Sequence, residues 1–288
     1  MQYASPTTVG EAATMLADNP GSRVFAGATD FVPQLRAGRH EPPVMVDLKR
    51  IDRLMAIEHH DGMWVVGAAV PAADLTRNAE FSAMFPGISE GAGLIGSDQI
   101  QNRSSLGGNL CNGSPAADSV PAMIAADARA VIAGADGERT IPVAEVVTGP
   151  GRTSLAEGEF VVEFQIDDAP SGTGDAYLRM IPRTEMDIAV VGAAVRLSMQ
   201  GGTVSSAGVV LGAVAPTAVR VADAEAALVG STVDDDTLAA VAAAASAACN
   251  PIDDKRGTIE YRTQVAGVLA KRAAAIAAAR AQGQEVDS

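Results

Sequence analysis

The sequence is poor in the residues that usually carry chemistry. Its 288 residues include two cysteines, Cys111 and Cys249, far apart and outside any Cys-x-x-Cys pair. The chain therefore offers no iron–sulfur or zinc site of its own, and both cysteines are expected as small buried hydrophobes. The three histidines, His40, His59 and His60, show no metal-ligand spacing. His59 and His60 fall in Glu-His-His-Asp-Gly, which reads as a solvated turn. Lys and Arg number 21 against 35 Asp and Glu, a net charge of −14. Without clustered cations, nucleic acid is excluded as a partner, and the negative charge serves solubility. Aromatic residues make up 3% of the chain, with one Trp and three Tyr. Although 48% of residues are hydrophobic, no uninterrupted apolar run reaches the roughly 18 residues of a membrane span. The opening MQYASPTTVGEAATML has neither a basic n-region nor an apolar h-region, so no secretory signal is read and a cytoplasmic location is expected. The length supports a sizeable core and two domains, or one domain with lobes.

What is present in quantity is glycine and small polar residues, concentrated in residues 91–126. Asn102, Ser104, Ser105, Gly107, Gly108, Asn109, Asn112, Gly113 and Ser114 crowd one short stretch. Glycines let a backbone approach a ligand closely, and small hydroxyls and amides donate and accept at short range. Pro115 and Asp118 lead into an apolar run, 120–126, that reads as a helix with Asp118 as its N-cap. Composition alone leaves two readings open here, a binding loop or a tight turn before a capped helix.

A second stretch has the same character. In SRVFAGATDFVPQLRAG, residues 24–26 read as a strand, 27–30 as a turn and 31–37 as a helix ending at Gly38. A strand, a small-residue turn and a helix N-terminus form a geometry suited to a pyrophosphate, because free N–H groups and the helix dipole point at the phosphates. By itself it is equally a structural turn. Elsewhere, residues 7–17 read as a short capped helix and 44–48 as a parallel-type strand. Residues 51–57 and 63–69 read as strands about the 59–62 turn, and 71–78 starts a helical layer that continues to Ala92. Residues 128–133 and 139–142 read as a hairpin about Ala135-Asp136-Gly137, residues 148–155 as a loop, and 160–166 as a strand. The polar, Pro- and Gly-rich 167–174 is the best linker, so the domains are expected to span 1–170, with lobes of about 1–55 and 56–170, and 171–288. The last third shows strands at 176–180, 187–199 and 204–214, then helices at 223–228, 236–248 and 259–281. In the last helix Tyr261, Val265, Val268, Leu269 and Arg272 share one face, with Val265 and Leu269 in the core.

The stretch QIQNRSSLGGNLCNGSPAAD resembles the signature Q-I-R-N-x-x-[ST]-[ILV]-G-G-N-[ILV]-x-x-x-[SA]-P-x-x-D. This is the pattern of the FAD-binding, or medium, subunits of molybdenum hydroxylases, the family of aerobic carbon monoxide dehydrogenase and bacterial xanthine dehydrogenases. One position departs, Gln101 standing where Arg is usual. The 26–30 turn resembles the family's first flavin loop, A-G-G-[TH]-[DES], with Ala28 in place of the second glycine. That exchange requires a backbone angle that alanine tolerates. RTEMDIAVVGAAV and GTIEYRTQVAGVLAKRA also look like family segments, so the resemblance runs nearly end to end.

The resemblance implies an α+β protein. A two-lobed FAD-binding domain of the vanillyl-alcohol-oxidase/CO dehydrogenase flavoprotein type would precede a smaller α+β domain of antiparallel sheet and helices. It implies that Ala26, Gly27, Ala28, Thr29 and Asp30 hold the FAD pyrophosphate. Ser105, Gly107, Gly108 and Asn109 would hold the cofactor's second side, and Asp118 the ribose hydroxyls of its adenosine end. Ile95 stands where relatives place a large apolar or aromatic side chain near the flavin. Val162 and Arg179 align with positions at or beside the flavin ring, Arg179 being equally readable as one half of a surface salt bridge. Neither loop contains His, so FAD is expected to be non-covalent, with no catalytic residue and no metal in this chain. The molybdenum cofactor would sit on a large molybdopterin-binding partner, and two [2Fe–2S] clusters on a small partner, in a dimer of heterotrimers. Electrons would pass from those clusters through FAD to an external acceptor such as a quinone, NAD or oxygen. Two other readings stay open, a free-standing flavin oxidase or reductase of the same fold and an assembly module that has lost flavin.

Overall fold

The computed structural model describes residues 1–284 and 286. Its first lobe is a three-stranded parallel sheet with Val44–Asp47 in the middle, flanked by Gln2–Ala4 and Arg23–Phe25. The helix Val9–Asp18 starts on a capping box. Thr8 accepts from the Glu11 N–H, and the Glu11 carboxylate accepts from the Thr8 N–H. Its buried residues Ala12, Ala13 and Leu16 pack with Val44, Val46, Leu48 and Leu54.

The second lobe is a five-stranded antiparallel sheet. Its order is Ile57–His60, Met63–Gly67, Phe160–Asp167, Arg129–Gly134, Gly137–Pro142. Phe160–Asp167 lies in the middle of the sheet and is buried almost throughout, its charged residue Glu163 included, which Arg53 holds at 2.7 Å. Short helices, among them Ala72–Arg77, Pro86–Gly93, Leu106–Cys111 and Ser119–Ala125, pack Leu75, Ile88, Leu106, Leu110 and Met123 against Val66, Phe164 and Ile166. At Val161/Glu163 the central strand bulges, and the Val162 carbonyl turns to accept the Ala68 N–H at 2.8 Å.

The C-terminal domain begins with Thr173–Met180, which pairs with Val191–Gln200, then Thr203–Gly212 and Val219–Arg220, all antiparallel. Helices Ala222–Leu228, Asp235–Ala247 and Ile259–Ala281 cover this sheet.

Several expectations need correction. Residues 51–56 do not extend the hairpin strand: Asp52–Met55 is a helical turn that buries Leu54. The hairpin turn is Asp61–Gly62, both at positive φ (54° and 74°), so His59 and His60 belong to a strand. His59 stacks on Trp64 at 4.6 Å and meets Asp168 at 2.9 Å. Residues 148–155, expected as loop, contribute with Val147 to a small ribbon of Val147–Gly149 and Arg152–Thr153. The second strand of the last domain starts at Val191, not at 187. Cys111 is exposed and Cys249 half-buried. The long helix turns a different face inward, since Tyr261 and Val268 are exposed while Ala266, Leu269, Ala270, Ala273, Ala274 and Ala277 are buried. The cause is close approach: a Cβ on Gly174 would lie 2.2 Å from the Ala277 carbonyl oxygen, so only small side chains fit between helix and sheet. Val265 is only partly buried. No described helix is long and apolar enough to cross a membrane.

Candidate functional site

The two glycine-rich stretches, remote in sequence, meet in space. Arg23–Phe25 ends at Ala26, and the chain turns through 27–30 into Phe31–Arg36. A Cβ on Gly27 would lie 1.7 Å from the Arg103 carbonyl oxygen and 3.0 Å from the Ser104 nitrogen. Glycine is therefore required at 27 for the second loop to rest on the first. Asn112 bridges the same junction: its amide donates to Asp30 at 3.4 Å, and its Oδ1 accepts from Gln34 at 3.3 Å. From the other side, Lys49 donates to the Ala26 carbonyl at 2.8 Å and to Asp47 at 2.6 Å.

The junction carries unspent donors. The main-chain N–H groups of Gly27, Ala28, Thr29 and Asp30 find no acceptor among the described residues. The Ser104 hydroxyl is buried there and has no hydrogen-bond partner. A row of free N–H groups leading into a helix N-terminus fits an oxygen-rich ligand such as a pyrophosphate. Ala28 sits at φ 60°, in the left-handed region where the family pattern has glycine. The backbone keeps the turn, and alanine bears a strain of about 1–2 kcal/mol.

The Gly-Gly-Asn segment opens the helix Leu106–Cys111. Ser105 caps it, accepting the Gly108 N–H at 3.1 Å. Gly107 and Gly108 are therefore helical, and neither adopts positive φ. Gly107 is buried, and a Cβ there would lie 2.5 Å from the Ala68 carbonyl oxygen, so this glycine serves packing. Gly108 is exposed, with only Ser105 Oγ near its absent Cβ, at 3.4 Å. It presents an open, bare surface. Asn109 Oδ1 accepts from the Ser119 hydroxyl at 2.8 Å and its N–H at 3.3 Å, locking this helix to the next.

Asp118 heads that next helix but does not cap it. Its φ and ψ, −60° and −36°, are already helical, and its side chain makes no cap bond. A side-chain cap needs extended backbone at this position. The carboxylate turns instead to the C-terminal domain, where Tyr177 donates to Oδ1 and Arg179 to Oδ2, both at 2.8 Å. Arg179 is thus in a buried ion pair, not a surface one, with side-chain exposures of 6% and 9% for the two partners. Burial pushes the Asp118 carboxyl up to about 6 against the pull of Arg179 and of the Tyr177 hydroxyl. Burial, with the neighbouring Asp118 charge, raises the Tyr177 phenol well above its usual value. At neutral pH the carboxylate is ionised and the phenol is a donor.

Ile95 is half-buried against the second-lobe core. The Gln101 side chain donates to the Gly93 carbonyl at 2.6 Å and braces the segment that carries Ile95. The Val162 side chain is fully buried in the first-lobe core. It joins the site through its main chain, since its carbonyl holds the Ala68 N–H and the Ala68 carbonyl holds the Gly107 N–H. Sequence reasoning missed Lys49 and Tyr177, which carry no local motif. Ser104 and Asn112 stood only as members of a polar stretch. Among the described residues no group of three or more His, Cys, Asp or Glu is placed to hold a metal ion.

Comparison with known proteins bears on this arrangement. Residues 1–167 match the FAD binding domain in molybdopterin dehydrogenase, and residues 176–277 the CO dehydrogenase flavoprotein C-terminal domain. The chain is 34% identical over 280 residues to the carbon monoxide dehydrogenase medium chain of Hydrogenophaga pseudoflava, covering 97% of each chain. It is 29% identical over 284 residues to the xanthine dehydrogenase FAD-binding subunit of Escherichia coli O157:H7, covering 98% of this chain and 97% of the relative. Its fold superposes on the solved Hydrogenophaga pseudoflava carbon monoxide dehydrogenase with a TM-score of 0.93, over 97% of this chain and 98% of that one, at 36% identity. For quinoline 2-oxidoreductase of Pseudomonas putida 86 the TM-score is 0.90 at 29% identity, over 98% of this chain and 97% of that one. The two-lobed domain, the C-terminal α+β domain and these matches place the chain in one family: it belongs to the FAD-binding medium subunits of molybdenum hydroxylases, and is an oxidoreductase subunit with an FAD-binding domain.

Proposed function

We propose that this chain is the electron-transfer subunit of a molybdenum hydroxylase, holding one FAD non-covalently between residues 26–30 and 104–118. The observation that carries this reading is the junction of the two glycine-rich loops, where the main-chain N–H groups of residues 27–30 have no acceptor among the described residues. FAD supplies two-electron to one-electron redox chemistry, and the chain supplies position and electrostatics. Ala26, Gly27, Ala28, Thr29 and Asp30 bind the pyrophosphate through main-chain donors and the N-terminus of the following helix. Ser105, Gly107, Gly108 and Asn109 form the second wall, with Gly108 as its bare surface. Asp118 accepts from the ribose hydroxyls, using lone pairs left over by Tyr177 and Arg179. Ile95, Val162 and Arg179 border the cofactor, Val162 through its main chain. Residues 1–170 and 171–288 act as the cofactor and C-terminal domains. The partners are a large molybdopterin-binding subunit and a small subunit with two [2Fe–2S] clusters, in a cytoplasmic dimer of heterotrimers that passes electrons to an external acceptor.

Acid precipitation of the purified yellow chain should release all flavin to the supernatant, and flavin retained in the pellet refutes non-covalent binding. Alone, the chain should reduce dyes at most. Co-purified with both partners, it should bleach when substrate is added. If the isolated chain oxidises a small organic substrate at about one turnover per second or faster, it is a free-standing oxidase instead.

A further inference from the structure

We propose that Tyr177, in the C-terminal domain, is a positioning residue for the cofactor's adenosine end, acting through Asp118. The proposal rests on the FAD reading above and adds a residue from outside both flavin loops. Tyr177 lies on Thr173–Met180 and is 2% exposed. Its main-chain N–H is fixed by Glu90 at 2.7 Å, and Arg280 holds the other Glu90 oxygen at 2.7 Å. The ring passes over Gly192 on the neighbouring strand, where a Cβ would lie 2.5 Å from the Tyr177 hydroxyl oxygen. That glycine leaves the room through which the phenol reaches across the domain boundary to Asp118 Oδ1. Asp118 has little freedom of its own. A Cβ on Gly91 would lie 2.7 Å from its carbonyl oxygen, and the next residue, Ser119, is held by Asn109. Backbone packing thus sets where Asp118 stands, and Tyr177 with Arg179 sets which way its carboxylate faces. With one lone pair of each oxygen engaged from the C-terminal side, the remaining pairs point at the other side of the carboxylate.

Arg179 supplies charge as well as direction, whereas Tyr177 supplies direction alone, so Tyr177→Phe isolates the positioning role. In the full-length apo chain, FAD and FMN affinities would be read by flavin fluorescence titration. Tyr177→Phe should weaken FAD by roughly three- to tenfold, the usual worth of one hydrogen bond. FMN, which lacks the adenosine end, should change by less than about twofold on the same scale. Gly192→Ala, which crowds the phenol without touching Asp118, should lower the FAD/FMN ratio in the same direction. Tyr177→Phe added to Asp118→Asn should cost little further, because both act on one contact. Equal losses for FAD and FMN, an unchanged ratio, or additive losses in the double variant would each overturn the proposal. If Asp118→Asn itself leaves the ratio intact while FAD still binds, Asp118 is not at the adenosine end and this role for Tyr177 falls with it. A wild-type chain that binds no FAD refutes the cofactor reading itself.

Discussion

Gly108→Ala separates cofactor from fold more cleanly than any other single change. The two glycines of the Gly-Gly-Asn segment look alike in sequence and differ in space: Gly107 faces the Ala68 carbonyl, Gly108 faces outward. Gly108 is helical and keeps its N–H bond to Ser105 Oγ when a methyl is added, since 3.4 Å is an ordinary contact. Replacing glycine by alanine in a helix interior gains about 0.8–1.0 kcal/mol. In the first turn of a helix this short, about half of that is expected, a rise in melting temperature of roughly 1–2 °C for the apo chain. For the cofactor the sign reverses. On the proposed reading FAD packs against this surface, and a methyl there is an overpacking change of about 1–3 kcal/mol, or roughly 5- to 150-fold in affinity. Thermal unfolding of the apo chain and FAD titration, on the same preparation, read the two effects. Higher stability with weaker FAD is the expected pair. Unchanged FAD affinity would place the cofactor away from this helix, and a melting temperature lowered by several degrees would contradict the packing described.

The remaining predictions concern strain and burial. Gly107→Ala should destabilise the apo chain by about 1–3 kcal/mol, because the methyl meets the Ala68 backbone, and denaturant titration would show it. Ala28→Gly should stabilise by about 0.5–1 kcal/mol: relief of about 1–2 kcal/mol of left-handed strain outweighs the extra unfolded-state entropy of glycine, and a lower melting temperature would refute the strain. Arg262→Ala should cost about 2–4 kcal/mol by stripping a buried guanidinium from the Val190 carbonyl at 2.6 Å and from Asp254 at 2.7 Å; a urea midpoint near that of the wild type would refute this. Burial pushes the Asp175 carboxyl up to about 6, against the pull of Arg196 and the Gly87 N–H. Its proton is held more tightly folded than unfolded, so the stability it contributes is full below about pH 4 and lost as pH rises through 6. Asp175→Asn should flatten the pH dependence of the urea midpoint across that window, while lowering its absolute value by leaving Arg196 unpaired, and an unchanged slope would refute the assignment.

The parts of the fold legible in the sequence were those set by local rules. The short capped helix over 7–17, the hairpin about 135–137 and the whole of Ile259–Ala281 could be read from neighbouring residues. What escaped was set by distant packing. The inward face of the last helix is its alanine stripe because the sheet approaches too closely for Val268 or Tyr261. No helical periodicity carries that information, since alanine counts weakly as apolar. The two glycine-rich loops were legible as small-residue motifs, yet their contact depends on Gly27 resting on Arg103, 76 residues later in the chain. Asp118 shows the sharper limit. Locally it has every mark of an N-cap, and a pull from Tyr177 and Arg179, on another domain, decides its orientation.

That pull says something about how the two domains are joined. The C-terminal core is built almost wholly from its own residues, and a few, Tyr177, Ala194 and Val210, pack into the second lobe. Directed polar bonds supplement this apolar contact. Tyr177 and Arg179 bind Asp118, Arg280 binds Glu90, Asp175 accepts the Gly87 N–H, and Arg220 pairs with Asp127. Apolar contacts of this size resist separation but tolerate small slides, whereas a hydrogen bond loses its strength within a fraction of an ångström and a few tens of degrees. Buried ion pairs return little net stability for their desolvation cost. Their contribution at this boundary is therefore geometric: they fix the angle between the helix that Asp118 heads and the sheet that carries Tyr177 and Arg179. A cofactor held between those elements would inherit that fixed angle, and electron transfer, which depends steeply on separation, is the kind of activity that a rigid seam of this sort serves.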